Sequence, residues 1–143
     1  MAQTRVLLIA ADFYDDLAAA MIEGASAWLD EQGVAHETVR VPGALEIPGA
    51  IVQAELGEAG FDGYVALGCV IRGETTHYDY VCGESARGLM ELSLAGVAVG
   101  NGILTTENRD QAWVRAKDKN KGKDAAQACL SIINLRKRFE GEA

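Results

Sequence analysis

The chain is poor in the residues on which several large function classes depend. Its 143 residues hold 13 Lys and Arg against 21 Asp and Glu, a formal net charge of -8 at pH 7. That deficit of positive charge argues against nucleic acid, whose phosphate backbone selects basic surfaces. A few local basic groups still suffice for a small anion. No apolar run approaches the roughly 20 residues of a membrane span, so no membrane partner is expected. The start, MAQTRVLLIAADF, has too short an apolar run for a signal peptide and no small-residue cleavage site behind it. A cytoplasmic, reducing location is therefore expected. Three cysteines are present, an odd number with no zinc-ligand spacing. Cys69 and Cys129 stand among apolar neighbours and read as small core residues. Nothing beside Cys82 marks an activated nucleophile. Neither GxxxxGK(S/T) nor GxGxxG occurs. No metal cluster stands out, and neither a metal nor a cofactor is expected.

What remains is an ordinary globular composition, 49% hydrophobic and 24% charged, at a length that fits one domain over residues 1–143. Val6 to Ala11 is a continuous apolar run, the pattern of a strand buried on both faces. Asp15 or Asp16 is placed to cap a following helix. In it Ala18, Met21, Ile22, Ala25, Trp28 and Leu29 recur at helical spacing before Gly33 ends it. His36 to Val41 reads as a second strand, Pro42-Gly43 as a turn, and Pro48 as the start of a second helix. Gly63 to Ile71 is a third buried strand, and the polar loop Arg72 to Thr76 leads into a helix from about Tyr78 to Leu94. Val97 to Leu104 reads as the fourth strand. Asn108 and Gln111 have capping-box spacing for a helix reaching about Lys117. Asn120-Lys121-Gly122 reads as a break. A last helix, about Asp124 to Phe139, is expected to turn Ala125, Ala128, Cys129, Ile132 and Leu135 to one side. Strands alternating with helices predict α/β architecture: a three-layer sandwich with a four-stranded parallel, flavodoxin-like sheet and helices on both faces. Four strands leave two edges in need of cover, and oligomerisation is one way to cover them.

In such folds ligands sit beyond the carboxyl ends of the strands, and the unusual residues of this chain fall there. Arg72-Gly73-Glu74-Thr75-Thr76-His77 joins a strand to a helix start, where backbone N–H groups attract anions. Gly73 permits close approach and the threonines add hydroxyls. Read blandly, the same loop is a helix start capped by Thr76. His77 is placed to move protons near neutral pH, although a lone surface histidine is more often inert. His36, at the start of a strand, lies at the opposite end and reads as structural. Arg115 and Lys121 are candidates to complete an anion site, Arg by bidentate geometry. Alone, each is a solvated surface charge. Glu46, in the stiff loop Val41 to Pro48, is a carboxylate among apolar neighbours, suited to accept hydrogen bonds from a polyol; otherwise it serves the helix dipole. Phe13 offers an aromatic face for a flat ring, or plugs the core. Together these features point to unaided condensation chemistry on a phosphorylated substrate.

Four segments together resemble one family. VPGALEIP, GCVIRGETTHYDYVCGE, GILTTENRDQAWVRA and NKG occur here in order and are similar, at matching spacing, to the motifs of lumazine synthases; the likeness spans the chain from Phe13 to the last helix. The resemblance implies an enzyme that condenses 5-amino-6-ribitylaminopyrimidinedione with 3,4-dihydroxy-2-butanone 4-phosphate, without cofactor or metal. It implies His77 as the proton-transfer residue. It places Arg115 on the phosphate with Gly73, Glu74 and Thr75, and Lys121 near the same end. Phe13 would stack on the pyrimidine, Ala44 and Glu46 would hold the ribityl chain, and the Val70 and Ile71 backbones would meet the heterocycle. It further implies a homo-oligomer, a pentameric ring with sites shared between subunits. This chain departs from the commoner pattern at Asp12 and Tyr14, at Leu45 and at Asn101, positions that line or approach the pyrimidine pocket. The stretch Ala116 to Lys119 is short and lacks the glycines of members that form icosahedral shells, and the chain starts only a few residues before its first strand. A pentamer, or a pair of pentamers, is expected. A flavodoxin-like flavin-binding module would need a Ser/Thr/Gly-rich loop after the first strand, and a receiver-type domain an acidic cluster there. Ala10 to Tyr14 provides neither.

Overall fold

The computed structural model describes residues 3–141. Strands Arg5–Ala11 (β1), Ala35–Val41 (β2), Gly63–Ile71 (β3) and Val99–Thr106 (β4) form one sheet in the order β2-β1-β3-β4. Every neighbouring pair is parallel. Helices Asp15–Glu31 (α1), Ile47–Leu56 (α2), His77–Leu94 (α3), Arg109–Trp113 (α4) and Lys121–Phe139 (α5) follow the strands in turn. This is the expected three-layer α/β sandwich. β1 and β3 are buried on both faces because their side chains feed two cores. On one side Val6, Leu8, Ala10, Val65 and Leu67 pack with Leu17, Met21, Leu29, Ala125, Cys129 and Ile133 of α1 and α5. On the other, Leu7, Ile9, Tyr64 and Ala66 pack with Ile47, Ile51 and Leu89 of α2 and α3. The alternation of one strand between two apolar layers is what made these runs continuous in sequence.

Several local expectations shift. Tyr14, not an aspartate, occupies the N-cap of α1, and Asp15 and Asp16 sit in its first turn. There Asp16 accepts from the Leu17 N–H at 3.0 Å. Thr76 is the N-cap of α3 but its side chain caps nothing; instead Thr75 Oγ1 accepts the His77 N–H at 3.3 Å. β4 starts and ends two residues later than the apolar run suggested, because its pairing with β3 continues through Ile71 opposite Thr106. Asn108 does cap α4, accepting from the Gln111 N–H at 2.9 Å, while the Gln111 side chain returns to the Glu107 N–H rather than that of Asn108. After α4 the chain widens into a π-turn over Val114–Asp118, with the Lys119 N–H reaching back to the Val114 carbonyl at 2.8 Å. The break is narrower than expected. Asn120 alone takes a left-handed conformation, φ 52°, and Lys121 and Gly122 already belong to α5.

The buried face of α5 also differs. Gly122, Ala125, Ala126, Cys129 and Ile133 point inward, whereas Ala128, Ile132 and Leu135 are exposed. The cause is close approach. A Cβ on Gly100 of β4 would lie 1.9 Å from the Ala125 carbonyl oxygen, and one on Gly122 would lie 2.3 Å from that of Met21 in α1. Small residues seat α5 against both the sheet and α1. Of the five residues expected to face inward, Ala125 and Cys129 do, while Ala128, Ile132 and Leu135 give way to Gly122, Ala126 and Ile133.

Candidate active site

The carboxyl ends of β1 and β3, where the strand order reverses, frame a cavity of about 240 Å³. Phe13 and Tyr14 enter it from the turn between β1 and α1. Gly43, Ala44, Leu45 and Glu46 enter from the single 3₁₀ turn Ala44–Glu46 that precedes α2. Cys69, Val70 and Ile71 close it from the end of β3, and His77 and Val81 from the first turns of α3. Pro48, at the start of α2, stiffens the loop on one side and Pro42 on the other. The wall is mostly apolar; Glu46 and His77 are its titratable groups besides Tyr14 and Cys69.

Ala44 is buried and packs with Val70 and Val81, which fixes the floor of the cavity. Phe13 is 74% exposed, so its ring is open for a flat partner rather than spent in the core. It is held edge-on by Tyr14, with ring centroids 4.9 Å apart and an interplanar angle of 75°. Tyr14 in turn rests on the α1/α5 core. Beside it, Arg109 pairs with Asp16, tying the start of α4 to the first turn of α1. The hydrogen bond from Arg109 holds the Asp16 carboxyl below its ordinary range.

The thiols are unsuited to attack. Burial pushes Cys69 up to about 11 and Cys129 up to about 12. Burial also raises Cys82. Such groups are thiols, not thiolates, at neutral pH. The Thr106 hydroxyl is buried without a hydrogen-bond partner among the described residues. No group of three or more His, Cys, Asp or Glu able to hold a metal is found among the described residues, and no helix there is long and apolar enough to cross a membrane.

The structure gathers seven of the residues singled out in the sequence at this one cavity: Phe13, Ala44, Leu45, Glu46, Val70, Ile71 and His77. Gly73, Glu74 and Thr75 lie exposed in the loop just before His77. A Cβ on Gly73 would meet nothing within 4 Å, so that backbone faces open space. Besides these three loop residues, which flank the cavity without lining it, three more candidates lie away from it. Asn101 sits exposed on the edge strand β4, its side chain accepting the Ile103 N–H at 2.9 Å. Arg115 is half-buried in the π-turn and donates to the Gln111 carbonyl at 3.1 Å. Lys121 opens α5, 3.3 Å from the Asp124 carboxylate. His36, expected to be structural, pairs with Asp30 at 2.8 Å. Sequence reasoning missed Cys69 and Val81 as lining residues, read Gly43 only as part of a turn and named Tyr14 only as a departure. Cys69 lies among core-like neighbours, and only the seat of the cavity at the sheet's rim exposes it.

Comparison with known proteins points the same way. A family model described as 6,7-dimethyl-8-ribityllumazine synthase matches residues 3–137. Proteins of that name from Bartonella tribocorum and Novosphingobium aromaticivorans are 53% and 55% identical to this chain. Each match spans 94% of this chain, and 91% and 98% of the respective relative. The protein of the same name from Agrobacterium fabrum is 49% identical over 99% of this chain and 100% of its own length.

Proposed function

The chain belongs to the 6,7-dimethyl-8-ribityllumazine synthase family, and from that premise we propose that the cavity at the ends of β1 and β3 is its reaction site, completed by a neighbouring copy of the chain. The reaction is the family's: condensation of 5-amino-6-(D-ribitylamino)uracil with 3,4-dihydroxy-2-butanone 4-phosphate, a transferase step of riboflavin biosynthesis. The amine of the pyrimidine attacks the ketone and water leaves as the imine forms. Loss of a proton and of inorganic phosphate follows. The ribitylamino nitrogen then closes the second ring with loss of another water.

Each step suits the groups available. The exposed Phe13 ring takes the pyrimidine in a stack, with the Val70 and Ile71 backbones at its edge. Leu45 lies against the same pocket, and Ala44 and Glu46 receive the polyol of the ribityl chain. His77, at the cavity wall, moves the protons, an effect of roughly 10²–10⁴-fold. The loop Gly73 to Thr75 and the start of α3, whose N-cap residue Thr76 makes no side-chain capping bond, receive the phosphate through backbone N–H groups. Holding two substrates together supplies the rest, a contribution of up to about 7–11 kcal/mol in favourable cases. Arg115, Lys121 and Asn101 serve the cavity of the next subunit, Arg115 and Lys121 at its phosphate end. The observation that carries this arrangement is their separation from the cavity of their own chain. Large apolar side chains left exposed, Leu94 at 82% and Phe139 at 75% among them, support a homo-oligomer, which we take to be a pentamer or a pair of pentamers in the cytoplasm.

Mixing the protein with both substrates and following the lumazine by absorbance and fluorescence tests the activity. In the same assay Arg115→Ala should raise the KM for the phosphorylated substrate well above that for the pyrimidine. An unchanged dependence on the phosphorylated substrate would place the phosphate elsewhere. Mixed oligomers of Arg115→Ala and His77→Ala chains should recover activity if each site draws on two copies, and no recovery would refute the shared site.

A further inference from the structure

The loop that presents His77 has little of its own to hold it. Residues 72–77 are all exposed, and the side chain of Thr76, at the N-cap of the helix that follows, makes no capping bond. Among the described residues its backbone is tied to backbone only at the ends, by the Arg72 N–H to the Thr106 carbonyl at 2.9 Å and by the Asp79 and Tyr80 N–H groups to the Thr76 carbonyl. Between these ties, the Thr75 hydroxyl on the His77 N–H is a long contact, 3.3 Å. A segment so sparsely bonded samples many geometries unless something spans it.

One side chain does. Arg72 Nε donates to Glu107 at the end of β4, 2.8 Å away. Its Nη1 lies 3.8 Å from Asp79 in the first turn of α3, and its guanidinium carbon stands 4.3 Å from the centre of the Tyr78 ring. The planar guanidinium thus meets a carboxylate along one edge, a second carboxylate along another and an aromatic ring on its face, which a lysine cannot do at once. Tyr78 and Asp79 are the two residues after His77, and Arg72 begins the loop before it. The cation spans the segment that carries both the proton-transfer group and the phosphate-facing backbone, and anchors it to the sheet through Glu107.

We propose that Arg72 is a positioning residue: it binds no substrate, but holds the loop 73–77 and the first turn of α3 in the geometry that the reaction uses. This rests on the functional reading above. Each contact is partly exposed and individually weak in stability, so the effect belongs in the rate, where misplacement by about 1 Å can cost on the order of 10²-fold.

The test compares wild type, Arg72→Ala, Arg72→Lys and Glu107→Gln in the native oligomer. Arg72→Ala should lower kcat about tenfold or more and raise the KM for 3,4-dihydroxy-2-butanone 4-phosphate severalfold. The KM for the pyrimidine substrate should stay within about twofold, because the walls that receive it are untouched. Arg72→Lys should recover less than half of the logarithmic loss. Glu107→Gln, which keeps the stack on Tyr78, should fall between and carries the test if Arg72→Ala does not fold. Amide hydrogen exchange supplies a readout independent of turnover: the Asp79 and Tyr80 amides should exchange about tenfold faster in Arg72→Ala, with Ala125 to Ile133 unchanged. An active wild type whose Arg72 and Glu107 variants match it in kcat, both KM values and exchange would overturn the positioning role. A wild type inactive with these substrates, but with the exchange difference intact, would overturn the functional reading and leave the clamp standing.

Discussion

Replacing Gly122 with alanine should destabilise the protein although alanine is the better helix former. Gly122 lies in the first turn of α5, where the swap would gain at most about 1 kcal/mol in helix propensity. The new Cβ would stand 2.3 Å from the Met21 carbonyl oxygen, 3.0 Å from its carbonyl carbon and 3.1 Å from its Cα. All three are backbone atoms of α1, at a residue with no exposure, so no flexible side chain can swing aside. α5 must recede by about 0.7 Å before the shortest contact reaches the 3.0 Å below which real Cβ contacts essentially do not occur. That movement would open the α1–α5 seam and strain its packing, typically at about 1–3 kcal/mol. Set against the full propensity gain, a net loss of up to about 2 kcal/mol is expected, or up to about 6 °C in Tm at fixed protein concentration. Urea unfolding followed by circular dichroism measures it. Gly49→Ala is the internal control: it lies in α2 with nothing within 4 Å of its added Cβ, and it should hold or raise stability by up to about 1 kcal/mol. A Gly122→Ala protein stabilised as much as Gly49→Ala would refute the account of how α5 is seated. Because Lys121 is the adjacent residue, the same variant should also weaken the phosphorylated substrate more than the pyrimidine.

His77→Ala should slow lumazine formation roughly 10²–10⁴-fold in steady-state turnover without abolishing it, since the positioning of the two substrates survives; loss of less than about threefold would remove His77 from proton transfer. Thr106→Val should be neutral or stabilising by about 1 kcal/mol in urea unfolding, because the hydroxyl is buried with no partner and valine keeps its shape; a loss above about 1 kcal/mol would mean that the hydroxyl is satisfied. Alkylation of Cys69 in the folded protein should be slow at pH 8, where a thiol with its pKa pushed up to about 11 is about 0.1% thiolate. Its rate should climb about tenfold per pH unit toward 11, and a plateau below pH 9 would contradict the effect of burial.

Much of the architecture is legible in the sequence. The apolar runs of β1 and β3 are continuous because those strands feed two cores, and alternation with helices then fixes a parallel sheet. The rule that ligands gather beyond strand carboxyl ends placed Phe13, Glu46 and His77 together, and they line one cavity. The linear order of four motifs named the family. What the chain could not announce is geometry set by contact between distant segments. The inward face of α5 depends on how closely Gly100 and Gly122 let it approach, so Gly122, Ala126 and Ile133 turn inward in place of Ala128, Ile132 and Leu135. The absence of a Thr76 cap leaves the loop before His77 to be spanned by Arg72, whose partner Glu107 lies 35 positions on. The separation of Arg115 and Lys121 from the cavity follows from the π-turn and from α5 lying on the opposite face of the sheet to α2 and α3. Residue types and their periodicity determine which elements form and which chemistry is at hand; only tertiary packing decides which groups of one chain can meet, because that depends on distances between elements that no local pattern encodes.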